Sequence, residues 1–319
     1  MNTTAHHLNP AARLVFIATG DIALPSLRYL LDHGPRPLAV LTQPDKPVGR
    51  HQTLVPPTIK TAAIAAGIPV LQPVKIGDAA GLLAALEPEI LVVMAYGQIL
   101  RADVLTLARQ AIINLHASLL PRYRGAACIQ AAIDAGDAIT GVTAMHVVRE
   151  LDAGDVILAR TIPIAAAETG ASLHDRLAGL AAGVLAETLA QLAAGTAPRI
   201  PQDAALVSYV PKLERAAGRL DWTQPAAALE RRIRAYHPWP GTFTVVGAGG
   251  KQQRLKIYPP TVAVDRVLDP GRIAADGGML VVGCGSGALE ITSVQPEGSK
   301  RMSAADYLRG RKPVGFGVR

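Results

Sequence analysis

Unbroken apolar runs, separated by segments of helical periodicity, constrain the first 200 residues more than any other feature of this chain. The runs are Leu14-Val15-Phe16-Ile17-Ala18, Leu38-Ala39-Val40-Leu41, Ile90-Leu91-Val92-Val93-Met94-Ala95 and Ala111-Ile112-Ile113-Asn114-Leu115, with a shorter one at Pro69-Val70-Leu71. A strand that is apolar throughout must be covered on both faces. Helical patterns over residues 24–31, 58–66, 82–86 and 104–108 supply the covers. The alternation predicts an α/β domain built on a doubly wound, mostly parallel, Rossmann-like sheet. Ligands of such sheets bind beyond the carboxyl ends of the strands, where the winding reverses.

The pattern then changes. Two β-rich runs, 143–148 and 156–164, are joined by 149–155, and a long Ala/Leu-rich helix follows over 172–194. Residues 196–220 carry Pro198, Pro201, Pro211 and Gly218 and read as a linker. Beyond a helix at 226–235, short strands at 242–246, 254–258, 279–282 and 289–294 alternate with glycine turns. Such spacing predicts a smaller C-terminal OB-like β-barrel. The expected division is 1–204 and 205–319.

Charge follows the same division. Residues 1–204 hold 15 Lys plus Arg and 16 Asp plus Glu, a net of −1; residues 205–319 hold 17 and 9, a net of +8. A basic domain after a near-neutral one points to a polyanionic partner. The alternative is a charged surface that serves solubility alone.

Several classes are excluded or disfavoured. Half the residues are hydrophobic at a net charge of +7, which excludes intrinsic disorder. No apolar run approaches membrane-spanning length, and the opening residues lack a signal-peptide pattern, so a cytoplasmic protein is expected. Two cysteines, Cys128 and Cys284, make no disulfide framework. The histidines show no metal-ligand spacing, so no metal is expected. Thr19-Gly20-Asp21 lacks a dinucleotide glycine fingerprint, and Gly283-x-Gly285-x-Gly287 reads as a hairpin turn. Cys128 sits in a helical pattern with no adjacent histidine, which favours packing.

The chemistry-bearing residues gather at the end of the fourth run. In a strand, i and i+2 point to the same side, so Asn114 and His116 share one face at the sheet's carboxyl edge. An amide donates to a developing oxyanion and an imidazole carries protons near neutral pH. Both side chains would equally serve to cap the turn. The acidic turn Leu151-Asp152-Ala153-Gly154-Asp155 joins two strands of the same domain. Asp152 is either an ordinary turn residue or the carboxylate that orients His116.

The run from Ile113 to Ala127, Asn114-Leu115-His116-Ala117-Ser118-Leu119-Leu120-Pro121-Arg122-Tyr123-Arg124-Gly125 at its centre, resembles the folate-dependent formyltransferases. With 151–155 it carries both motifs of that family. The likeness extends to 42–50, Ala95-Tyr96-Gly97, Lys212-Leu213-Glu214, Pro238-Trp239-Pro240-Gly241 and 295–302.

The resemblance implies transfer of a formyl group from 10-formyltetrahydrofolate, without a metal, to the α-amino group of methionine on initiator tRNA. A related enzyme acting on an amino-sugar nucleotide is the alternative. By residue-for-residue match, Asn114, His116 and Asp152 would be catalytic. Ser118, Leu119, Leu120 and Pro121, with Tyr96 and Gly97, would line the folate pocket. Lys46, Arg50 and Lys212 would contact tRNA, and a monomer is expected. The chain departs from the family at Thr19-Gly20-Asp21 (usually Gly-Thr-Pro), at the less basic His51-Gln52-Thr53, and at Cys128, where proline is common.

Overall fold

The computed structural model describes residues 12–49, 51–248, 251–276, 279–310 and 315–317. They divide into two compact units. One comprises the described residues up to Cys128, with Thr140–Ile162 and His174–Val210; the other comprises Ile129–Ile139, Pro163–Leu173 and the described residues from Pro211 onward.

In the first unit the apolar runs become strands. Chain order is β1 (Leu14–Ala18), α1 (Leu24–Asp32), β2 (Ala39–Leu41), β3 (Lys46–Val48), β4 (Thr53–Val55), α2 (Thr58–Ala65), β5 (Val70–Leu71), α3 (Ala80–Ala85) and β6 (Ile90–Met94). There follow α4 (Ala102–Leu105), β7 (Ala111–His116), β8 (Arg124–Gly125), α5 (Cys128–Ala135, of which only Cys128 belongs to this unit), β9 (Ile139–His146), β10 (Val156–Pro163), α6 (Gly170–Ala193, in this unit from His174) and β11 (Tyr209–Val210). A seven-stranded sheet runs β10-β9-β7-β6-β1-β2-β5. From β7 to β5 every pairing is parallel, and β9 joins β7 antiparallel. The expected wound sheet is therefore present.

β1 and β6 are buried at every position, which is why their sequences show no polar alternation. α1 starts on a proline in its first turn and buries Ser26, Leu27 and Leu30, an i, i+1, i+4 stripe. One core layer packs Val15, Ile17, Leu41, Leu83, Leu91, Val93 and Val104 together. Each such side chain, fully buried, contributes roughly 1.5–3 kcal/mol relative to exposure. Within residues 43–57, β3 and β4 form a hairpin in which Lys46 pairs with Val55 and Val48 with Thr53. Asp45 anchors its base through Lys60 (2.8 Å) and Gln72 Nε2 (2.8 Å).

The second unit contains α7 (Ala226–Ala235), β12 (Thr242–Ala248), β13 (Lys251–Val264), β14 (Ile273–Asp276), β15 (Met279–Gly283), β16 (Ala288–Pro296), β17 (Met302–Ser303) and α8 (Ala304–Gly310). The sheet order is β12-β13-β16-β15-β14, with β17 on β16, and the strands form a curled antiparallel half-barrel. Its core holds Trp222, Leu229, Ile233, Leu255, Ile257, Leu280 and Ile291. Trp222 is fully buried, and its indole N–H donates to Thr244 Oγ1 at 2.9 Å, so burial leaves no orphan donor.

β13 is longer than the sequence implied. The strand expected at 254–258 runs on past Pro259-Pro260, because the register against β16 shifts between Tyr258 and Thr261 and the strand resumes. A bulge needs no ladder N–H at that point, so proline is tolerated. β14 escaped notice because Ile273-Ala274-Ala275-Asp276 has too few large apolar residues to stand out. The glycine triplet after β15 forms the turn into β16, as read from the sequence.

Candidate active site

β7 lies between β6 and β9, with Asn114 paired to Val93 on one side and Met145 on the other. Its carboxyl end delivers Asn114 and, two residues on, His116. The loop after β9 folds back until Gly154 lies against the backbone of His146, so close that any side chain at 154 would collide with the His146 carbonyl. That close approach requires glycine. It also brings Asp152, whose φ of 49° lies in the left-handed region, to the end of β7.

The three side chains meet. Asp152 Oδ2 lies 3.7 Å from His116 Nδ1, and Asp152 Oδ1 lies 3.5 Å from Asn114 Nδ2. The carboxylate and the imidazole are thus at ion-pair distance. A third donor was not read from the sequence: the Gly125 backbone N–H donates to Asp152 Oδ2 at 2.8 Å. Gly125 has φ 106° and lies against the Val210 carbonyl, so its N–H is aimed by a conformation and a closeness that only glycine permits. The far side of the ring is also fixed, because His116 Nε2 donates to the Tyr123 carbonyl at 2.9 Å.

His116 is buried, which by itself disfavours a charged ring. The Cys128 sulfur, the Asp152 carboxylate and the Tyr123 carbonyl outweigh that penalty and raise its pKa to about 9. That rise favours the cationic ring, in which both nitrogens act as donors. The neighbouring Cys128 corrects the reading that this thiol has no histidine beside it: His116 is twelve residues earlier in sequence, but the turn after β7 brings α5 back to the ring. Gln202, which donates to the Asp152 carbonyl, and Arg124, which donates to Gln202, are further polar neighbours that the sequence did not single out, since only the folded chain brings them together.

The remaining expected residues are placed as follows. Ser118 is fully buried, and its hydroxyl donates to the Arg122 carbonyl at 2.7 Å, shaping the turn. Leu119, Leu120 and Pro121 are half-buried. The Tyr96 ring is buried in the core layer beside Leu100 and Val104, and burial pushes its phenol up to about 12. Only the main chain of the Tyr96-Gly97 turn is presented at the sheet edge, where the Tyr96 carbonyl accepts from Thr19 Oγ1 at 3.1 Å and Gln43 Nε2 at 3.3 Å. Lys46 is exposed on β3 of the first unit, and Lys212 is exposed in the second. Arg50 lies outside the described residues. Among the described residues, no group of three or more His, Cys, Asp or Glu side chains is placed to hold a metal ion, and no helix is long and apolar enough to cross a membrane.

A half-buried amide, an imidazole and a carboxylate at the carboxyl edge of a wound sheet are groups able to stabilise a tetrahedral oxyanion, as a group-transfer enzyme requires. Comparison with known proteins makes the class specific. Residues 15–189 match the formyl transferase family model, and residues 212–312 match that of the formyl transferase C-terminal domain. A methionyl-tRNA formyltransferase of Akkermansia muciniphila is 50% identical over 314 residues, covering 96% of this chain and 100% of that protein. One from Moorella thermoacetica is 46% identical over 307 residues, covering 93% of this chain and 96% of its own. Among solved structures, HypX from Aquifex aeolicus in complex with tetrahydrofolic acid superposes with a TM-score of 0.63 at 20% identity, covering 93% of this chain and 47% of HypX. WlaRD, a sugar 3N-formyl transferase, superposes with a TM-score of 0.64 at 12% identity, covering 91% and 99%. These two share the fold. The chain belongs to the formyl transferase family.

Proposed function

We propose that this protein transfers the formyl group of 10-formyltetrahydrofolate to the α-amino group of methionine esterified to initiator tRNA. The observation that carries this reading is the convergence of Asn114, His116 and Asp152 on one point, in a chain whose full-length relatives are methionyl-tRNA formyltransferases.

The chemistry fits the groups. The amine nitrogen attacks the formyl carbon, the carbonyl π pair moves onto oxygen, and the bond to N10 of the folate then breaks. Asn114 Nδ2 and the Nδ1–H of His116 are the donors for the transient oxygen. The 3.7 Å from Nδ1 to Asp152 is longer than a hydrogen bond. A cationic ring also disfavours a second positive charge on the incoming amine, which must be neutral to attack. Asp152, the remaining carboxylate, takes up the amine's proton and passes it toward N10.

The turn from Ser118 to Pro121 and the main chain at Tyr96-Gly97 form the walls for a flat pterin. Residues 1–204 act as the catalytic part, and the basic 205–319 part grips tRNA, joined through the linker at 196–220. Lys46, Arg50 and Lys212 serve as phosphate contacts. The protein works in the cytoplasm as a monomer.

The direct test is formyl transfer to charged initiator tRNA, with an elongator methionyl-tRNA and a free amino sugar as comparators. Strong preference for initiator tRNA is expected; transfer to the sugar with none to tRNA refutes the reading. A second expectation follows from the net +8 of residues 205–319. Backbone contacts release counterions, so tRNA affinity should fall by about a hundredfold or more between 50 and 200 mM salt. A flat plot of log affinity against log salt removes the basic part's assigned role.

A further inference from the structure

The Gln202 side chain grips the main chain of the Asp152 loop from a segment some fifty residues away in sequence. Its Nε2 donates to the Asp152 carbonyl at 2.9 Å and to the Gly154 carbonyl at 2.8 Å. Its Oε1 accepts from Arg124 Nε at 3.1 Å and from Arg124 Nη2 at 2.8 Å. A primary amide has two N–H donors and two oxygen lone pairs. Gln202 spends all four on Asp152, Gly154 and Arg124, and its Nε2 also lies 4.0 Å from Met145 Sδ.

Arg124 is itself held. Its Nη1 donates to the Tyr209 hydroxyl at 3.2 Å, its guanidinium lies over the Tyr209 ring at 5.8 Å, and its backbone pairs with Tyr209 between β8 and β11. A planar guanidinium donating twice to one oxygen fixes the orientation of the amide plane. The amide in turn fixes the carbonyls on either side of Ala153. Asp152 occupies a left-handed backbone conformation that non-glycine residues seldom adopt, and such conformations persist where the surroundings over-determine them. Pinning both carbonyls of this loop sets the direction in which the Asp152 side chain leaves the backbone.

We propose that Gln202, oriented by Arg124, is a positioning residue for the transfer reaction, holding the Asp152 loop so that its carboxylate stands against His116 and Asn114. The role in turnover rests on the formyl-transfer reading above, whereas the placement of Asp152 is readable without any substrate.

Two variants of the full chain test it. Gln202→Met keeps length and neutrality but has no donors. Gln202→Glu keeps the acceptor for Arg124 but presents carboxylate oxygens to two carbonyls. The groups facing His116 are Cys128, Asp152 and the Tyr123 carbonyl, and Gln202→Met alters none of them chemically. An NMR titration of the His116 ring should therefore move to lower pH in Gln202→Met, because a carboxylate that has drifted no longer favours the cation. In parallel, kcat should fall by about ten- to a hundredfold with KM for both substrates within about twofold. Gln202→Glu should be no faster than Gln202→Met. An unmoved titration midpoint in Gln202→Met, or wild-type kcat in Gln202→Glu, overturns the proposal; the latter would assign the residue to orienting Arg124 alone. If the wild-type protein forms no formylmethionyl-tRNA, the function reading fails, and the ring titration still decides the placement of Asp152.

Discussion

Replacing Asn114 with alanine should lower kcat for formyl transfer by about 10²- to 10³-fold while leaving tRNA affinity near its original value. The Asn114 amide is the half-buried donor of the site, and its Nδ2 lies 3.5 Å from Asp152 Oδ1. In the ground state it has a long contact with a carboxylate. In the tetrahedral intermediate it gains a full negative charge to donate to. Removing a donor that acts on the transition state alone costs about 2.7–4 kcal/mol, which is the expected drop in rate. The loss should appear in kcat rather than KM, because the neutral formyl oxygen attracts the amide weakly. A kcat within about threefold of the original, measured at saturating substrates, removes Asn114 from the oxyanion role.

Asp152→Asn should be at least as damaging, on the scale of the about 10⁴-fold loss in kcat seen when a carboxylate beside a catalytic imidazole becomes an amide. Both ways of placing the new amide fail here. With its NH2 at the Oδ1 position it confronts the Asn114 NH2, donor against donor. With its NH2 at the Oδ2 position it abandons the Gly125 N–H and faces His116 Nδ1. The negative charge that favours the imidazolium is lost in either case.

The sign of the pH effect follows. The original His116 titrates at about 9, so the ring is charged below that value and loses its proton as pH rises through it. Without the carboxylate the midpoint falls, and the alkaline limb of the rate profile moves to lower pH. An unshifted limb together with a near-original rate would dismiss the pairing.

Much of this arrangement was legible beforehand because it rests on short-range periodicity. Strands buried on both faces must be apolar at every position, and β1 and β6 announce themselves for that reason. The alternation of side chains in β7 sets Asn114 and His116 on one side whatever the rest of the chain does. The strand expected to end at 258 runs on to Val264, because the register shift past Pro259-Pro260 depends on pairing with β16 and leaves no local signal. Tyr96 matches the family motif, but its ring went to the core, where apolar area outweighed one buried hydroxyl left without a partner.

Sequence alone determined the wound sheet, its carboxyl edge, the amide and imidazole on that edge, and the concentration of positive charge after residue 204. Tertiary structure decided what the imidazole is. Its charge depends on Asp152 and Cys128, and the direction of Asp152 depends on Gly125 and Gln202, groups brought together from β8, α5, the loop after β9 and the segment before β11. Periodicity is a property of neighbouring residues, whereas ångström-scale electrostatics between distant segments exists only after the strands have taken their register.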